Sequence, residues 1–139
     1  MDEPSGQHSL FLRLGGASGL ARLIDRQYEQ LLADDYLGEY FMGADIGRLK
    51  TAQLGFLRTM FGDAEASYHG TPLRQAHHDQ LVTEHAFDQF VDMFVTAARE
   101  AGVDDADQTE IRALLKSLRA NVITEFKPNP AYDYQSKPF

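Results

Sequence analysis

Three features of the 139-residue chain predict an all-α fold. Apolar residues recur at three- and four-residue steps in four separate stretches, the spacing that gathers them on one face of a helix. Short oxygen-bearing side chains stand at the heads of those stretches, where they can accept from the free amides of a first helical turn. Two-residue alternation, the mark of a half-buried strand, is convincing nowhere.

The elements follow in order. After Gly15-Gly16, Ser18 is expected to cap GLARLIDRQYEQLLAD, whose apolar stripe is Leu20, Leu23, Ile24, Leu31 and Leu32, with Tyr28 on the same face. DDYLGEYFMG reads as a turn and an aromatic corner. Asp45 caps IGRLKTAQLGFLRTMF, with Ile46, Leu49, Gln53, Phe56, Leu57 and Met60 in line, and Gly62-Asp63 ends it. An irregular segment, GDAEASYHGTP, leads to a short helical piece, LRQAHHDQ. Thr83 caps EHAFDQFVDMFVTAAREAG, with Phe87, Phe90, Val91, Phe94 and Val95 at helical steps, and Gly102 stops it. Asp104 to Asp107 open a last helix bearing Ile111, Leu114, Leu115, Leu118 and Val122. The tail KPNPAYDYQSKPF holds three of the five prolines and reads as an irregular extension.

Composition narrows the function. With 43% hydrophobic residues the chain can bury a core of one domain. A formal net charge of −8 argues against nucleic acid, whose phosphates favour a basic surface. The absence of cysteine excludes disulfides, thiolate metal sites, thiol catalysis and haem attachment through a Cys-x-x-Cys-His motif. The acidic start carries no signal-peptide pattern, and no run approaches the roughly 18 apolar residues of a membrane span. A cytoplasmic protein is expected.

Polar residues interrupt two of the apolar stripes. Gln53 falls one turn after Leu49 and about one before Phe56 and Leu57, and Tyr28 faces inward on the earlier helix. A buried amide left unpaired costs roughly 1–3 kcal/mol, so each needs a partner. Two readings stand: Gln53 bonds a backbone carbonyl and Tyr28 is a core aromatic, or the pair holds a polar ligand between two helices.

His77 and His78 lie about 100° apart on a helix and cannot share one target. With Leu73 four residues before it and Leu81 four after, His77 takes the apolar side; His78 falls with Asp79 and Arg74 on the wetter one. His77 is either a satisfied core histidine or a lone axial ligand of the kind a haem requires. Zinc needs three or four ligands, and His78, Asp79, Glu84 and His85 offer no tidy i, i+4 pair.

In order and spacing, SLFLRLGG, YEQLLADDYLGEYF, RLKTAQLGF, YHGTPLRQAH and VTEHAFDQFVDMFVTAAREAGV resemble the truncated haemoglobins, most closely their first (N-type) group. The resemblance covers about residues 9–123, and the block Tyr68 to His77 is its most specific part. It implies a two-over-two helical sandwich with a haem domain over 1–126 and an extension over 127–139. His77 matches the proximal iron ligand, Phe41 the aromatic wedged against the porphyrin, Tyr28 the distal tyrosine and Gln53 the distal glutamine. Leu49 occupies the place of the distal histidine in larger globins. Phe56 and Leu57 fall on an apolar tunnel. Leu73, Val82, Phe87, Phe90, Ile111 and Leu115 are implied as pocket walls, and Arg48 or Lys50 as propionate partners. The chain departs from the family pattern at Gly62-Asp63, where two glycines are frequent, and at Tyr40-Phe41, where two phenylalanines are and where a hydroxyl is added near the haem edge. Some relatives close the sixth iron position with a histidine or lysine three residues after the Leu49 position; this chain has Ala52.

The resemblance therefore implies haem b (iron protoporphyrin IX), held non-covalently and five-coordinate, that binds oxygen reversibly and also takes nitric oxide and carbon monoxide. A nitric-oxide dioxygenase activity is a further implication; it needs an external reductase, since no flavin or dinucleotide motif is present. The alternatives are a haem-based sensor or redox partner, with the tail as a docking element, and a haem-free helical interaction module whose inward polar groups are merely satisfied.

Overall fold

The computed structural model describes residues 8–66 and 82–122. Among the described residues every regular element is helical. Ser9 opens α1 (Leu10–Arg13) by accepting from the Leu12 amide. This turn was not expected from the sequence, because four residues are too short to show a period. α2 runs Gly16–Ala33. It starts two residues before the expected Ser18 cap: Gly15, with φ 99°, is the cap residue, no side chain bonds the first turn, and Ser18 lies inside the helix. Leu32 also departs from the expected stripe and is exposed. It stands 100° round from Leu31, which is fully buried.

The corner resolves into α3 (Asp35–Gly38), capped by the Asp34 carboxylate on the Tyr36 and Leu37 amides, and a 3₁₀ turn over Glu39–Phe41. Asp45 caps α4 (Ile46–Met60) through the Arg48 amide. Thr83 caps α5 (Glu84–Glu100), and Asp104 caps α6 (Asp105–Lys116). The last predicted helix is broken: Ser117 and Leu118 form a turn before α7 (Arg119–Val122). The piece LRQAHHDQ and the 127–139 tail lie outside the described residues.

α2 packs against both α4 and α5, and α5 packs against α6. The result is one helical pair laid on another, with the core between them. Leu20, Ile24 and Leu31 from α2 meet Val91, Phe94 and Ala98 from α5 and Ile111 from α6, all essentially inaccessible to water. Apolar burial of this kind is worth roughly 1.5–3 kcal/mol per large side chain. Gly19 lets α2 close on α1: a Cβ there would stand 2.1 Å from the Leu14 carbonyl oxygen.

α1 is also tied to the end of α4. The Phe11 amide donates to the Phe61 carbonyl at 2.8 Å, and Arg58 lies 5.7 Å from the Phe11 ring centroid. Gly62 alone takes the positive φ that this turn needs, at 92°. Asp63 keeps an ordinary backbone and contributes its carboxylate, which accepts from Arg58 Nε at 2.7 Å and from the Glu65 amide at 3.1 Å. An aspartate thus closes the turn without a second glycine.

Candidate functional site

The polar residues of the core meet where α2, α4 and α5 come together. Gln27, fully buried, follows Leu23 by four residues and precedes Leu31 by four, so helical spacing places it in the middle of an apolar stripe. Its Nε2 donates to the Phe90 main-chain oxygen on α5 at 3.0 Å. Its Oε1 accepts from Nε2 of Gln53 on α4 at 2.7 Å. Gln53 therefore bonds a side-chain amide, and neither of the two partners foreseen for it, a backbone carbonyl or a ligand, accounts for this contact. Sequence reasoning passed over Gln27. The signal was there, in an amide four residues from a leucine on each side.

Tyr28, the next residue on α2, is buried. Its ring meets Phe41 edge-on, with centroids 5.5 Å apart. Burial pushes its phenol up to about 12, so the hydroxyl remains a hydrogen-bond donor at any physiological pH. Lys50 Nζ sits 5.8 Å from the same ring's centroid and is bridged to Asp25 at 3.2 Å. Its charge is thus directed to α2. Arg48 is exposed.

Phe41, Leu49, Phe56 and Phe90 are only partly buried and pack against the core from its edge. Leu49, Gln53 and Phe56 share one face of α4. Leu57, Val82, Phe87, Ile111 and Leu115 are core residues proper. Tyr40 belongs to a separate cluster. It stands edge-on to Tyr36, 5.9 Å away, and Tyr36 exchanges a 2.6 Å hydroxyl bond with Thr83 and stacks on His85. Burial first, then the Tyr36 hydroxyl, push the Tyr40 phenol up to about 12. Leu73, His77 and His78 lie outside the described residues. Among the described residues no three His, Cys, Asp or Glu side chains converge to hold a metal.

The donor set fits a haem bearing a small polar ligand. Four large apolar side chains, incompletely covered, border a protonated phenol and an amide, which suits a flat apolar ring on one side and a hydrogen-bond acceptor on the other. One helical pair laid on another is the arrangement of a two-over-two globin. A family model described as bacterial-like globin matches residues 9–124. The group 1 truncated hemoglobin GlbN of Mycolicibacterium paratuberculosis is 29% identical over 116 residues, 84% of this chain and 85% of its own. The 2/2 hemoglobin of Synechococcus sp. PCC 7002, solved in the cyanomet state with covalently attached heme, is 25% identical; the match covers 85% of this chain and 100% of that one, with a TM-score of 0.79. The truncated hemoglobin of Tetrahymena pyriformis in its Fe(III) form shares the fold, with a TM-score of 0.80 at 22% identity, over 85% of this chain and all of that one. The chain belongs to the bacterial-like globin family and, within it, to the group 1 truncated haemoglobins. Membership implies haem-based binding of diatomic gases such as oxygen. No described helix is long and apolar enough to cross a membrane.

Proposed function

We propose that the protein binds oxygen reversibly at a non-covalent haem b held by His77, with Tyr28 and Gln53 stabilising the gas on the opposite side. The observation that carries this reading is the buried Tyr28 next in sequence to Gln27, whose side chain bonds the Gln53 amide of α4 at 2.7 Å, at the meeting of three helices whose buried faces are mostly apolar. A haem held there would supply a ferrous iron able to hold a diatomic gas. The Tyr28 O–H would donate to that gas, and Gln53 would donate a second bond or aim the hydroxyl. Each bond contributes roughly 1–1.5 kcal/mol, so the two together slow oxygen escape about a hundredfold. Carbon monoxide, the weaker acceptor, gains less.

The sixth position is read as open. Ala52 has no ligand atom, and the Lys50 ammonium is engaged by Asp25. Phe41, Leu49, Phe56, Leu73, Val82, Phe87, Phe90, Ile111 and Leu115 are proposed to enclose the ring, over a domain of residues 1–126. Slow oxygen release suits a chemical use better than transport. Reaction of bound oxygen with nitric oxide would put both oxygen atoms into nitrate and leave the iron ferric, and an external reductase would return the one electron that restores the ferrous state. A cytoplasmic setting, where reductants are available, would suit this use.

Absorption spectra of the purified protein test the reading. A Soret band that is lost in His77→Ala and retained in His78→Ala supports it, and a protein that stays colourless when offered haem overturns it. Pigment that extracts into acidified butanone is non-covalent. Stopped-flow mixing of the oxygenated protein with nitric oxide tests the dioxygenase step, and a reaction slower than autoxidation refutes that role.

A further inference from the structure

The two buried glutamines are not free to choose their orientation. A main-chain carbonyl oxygen only accepts, so Gln27 must present Nε2 to Phe90, 3.0 Å away. Its Oε1 then faces Gln53, which must answer with its own Nε2 at 2.7 Å. Turning either amide over would set two acceptors, or two donors, against each other at hydrogen-bond distance. Packing does not account for an amide at position 27, because a leucine there would complete the stripe from Leu23 to Leu31 with no polar requirement.

We propose that Gln27 is a positioning residue: anchored on the Phe90 carbonyl, it fixes which end of the Gln53 amide faces which way. The anchor is main chain within α5, so the setting does not depend on a mobile side chain. One N–H and the carbonyl oxygen of Gln53 are left directed away from Gln27 at defined positions, the first able to donate and the second able to accept. Resting on the gas-binding reading above, the proposal makes a relay from Phe90 through Gln27 and Gln53 the source of that second hydrogen bond.

The test uses the protein as purified, with Gln27→Met, Gln27→Leu, Gln53→Leu and the Gln27→Met/Gln53→Leu double variant. Nuclear magnetic resonance follows hydrogen exchange of the Gln53 side-chain amide. The wild type is expected to show protected Gln53 amide signals, and both Gln27 variants exchange at least about tenfold faster. Oxygen release from the haem-loaded protein rises about five- to tenfold in Gln27→Met, the effect of losing one net hydrogen bond. It does not rise again when Gln53 is already leucine. Effects on release that simply add, or Gln53 protection that survives loss of the Gln27 amide, overturn the proposal. So does a wild-type Gln53 amide that exchanges as fast as an exposed glutamine, which needs no variant to fold. If the protein takes up no haem the gas-binding reading fails, while amide exchange still decides the role of Gln27.

Discussion

Lys50 on α4 holds its ammonium 5.8 Å from the centroid of the Tyr28 ring on α2, with the Asp25 carboxylate at 3.2 Å on the same helix as Tyr28. One cation thus spans the two helices that carry the polar groups of the site. Asp25 is mostly exposed, so the ion pair itself contributes little; the face of the ring contributes more because it lies in the protein. Lys50→Met keeps the aliphatic stem and removes the charge. It is expected to cost about 0.5–1 kcal/mol in chemical unfolding. Most of that loss should persist in 0.5 M salt, at roughly the concentration where exposed ion pairs are screened. A loss that vanishes in salt would assign the effect to Asp25 instead.

The Arg58–Asp63 pair gives the fold an acid-sensitive link. Arg58 donates to Asp63 at 2.7 Å, and this bond holds the Asp63 carboxyl below its ordinary value of 3.8. A depressed folded-state value means that stability from this group is fully present above the unfolded value. It is lost as pH falls through the window beneath 3.8. Asp63→Asn should therefore lower the unfolding midpoint at neutral pH. The gap from wild type should close as the solution is acidified below the ordinary carboxylate range. Melting curves at a series of pH values check this.

Much of the architecture was legible because it is written in local rules. Asp45, Thr83 and Asp104 each cap the helix they precede, and of the apolar steps expected on α5, Phe87, Val91, Phe94 and Val95 are buried while Phe90 is partly so. The failures have physical causes. Ser18 looked like a cap, but Gly15 opened the helix earlier by taking a backbone conformation that a serine side chain does not signal. The break at Ser117 and Leu118 interrupts a stripe whose spacing continues across it. At the site, Tyr28 and Gln53 stood out as polar residues on apolar faces. Gln27, four residues from Leu23 and from Leu31, obeys the same rule and was passed over; what the sequence does not announce is its partner, a main-chain oxygen.

Gly19 should tolerate no side chain. A Cβ built there meets the Leu14 carbonyl oxygen at 2.1 Å and its carbon at 3.0 Å, both of them backbone. Backbone cannot rotate away as the end of a side chain can, so α1 must separate from α2. Gly19→Ala is expected to cost about 1–3 kcal/mol, the range for overpacked interiors, despite the better helix propensity of alanine. The separation should also loosen the Phe11–Phe61 backbone bond at the far end of α1. Faster exchange of the Phe11 amide in the variant would report it. An unchanged unfolding midpoint would mean that α1 shifts at no cost.

The state of the Tyr28 hydroxyl sets how oxygen release should respond to pH and to mutation. Burial pushes the phenol up to about 12. The raised value keeps the protonated form, and with it the donor, through the whole range below. Oxygen release is therefore expected to be flat between about pH 6 and 9, well short of the shifted phenol. Tyr28→Phe removes the donor but keeps the ring against Phe41, so packing at the corner is retained. Release should quicken about tenfold, the equivalent of roughly 1–1.5 kcal/mol for one hydrogen bond, while carbon monoxide release changes by less. Flash photolysis and stopped-flow displacement measure both gases. Equal acceleration of the two would mean that Tyr28 acts through space-filling, and a release rate that climbs within the neutral range would mean that another group governs the bond.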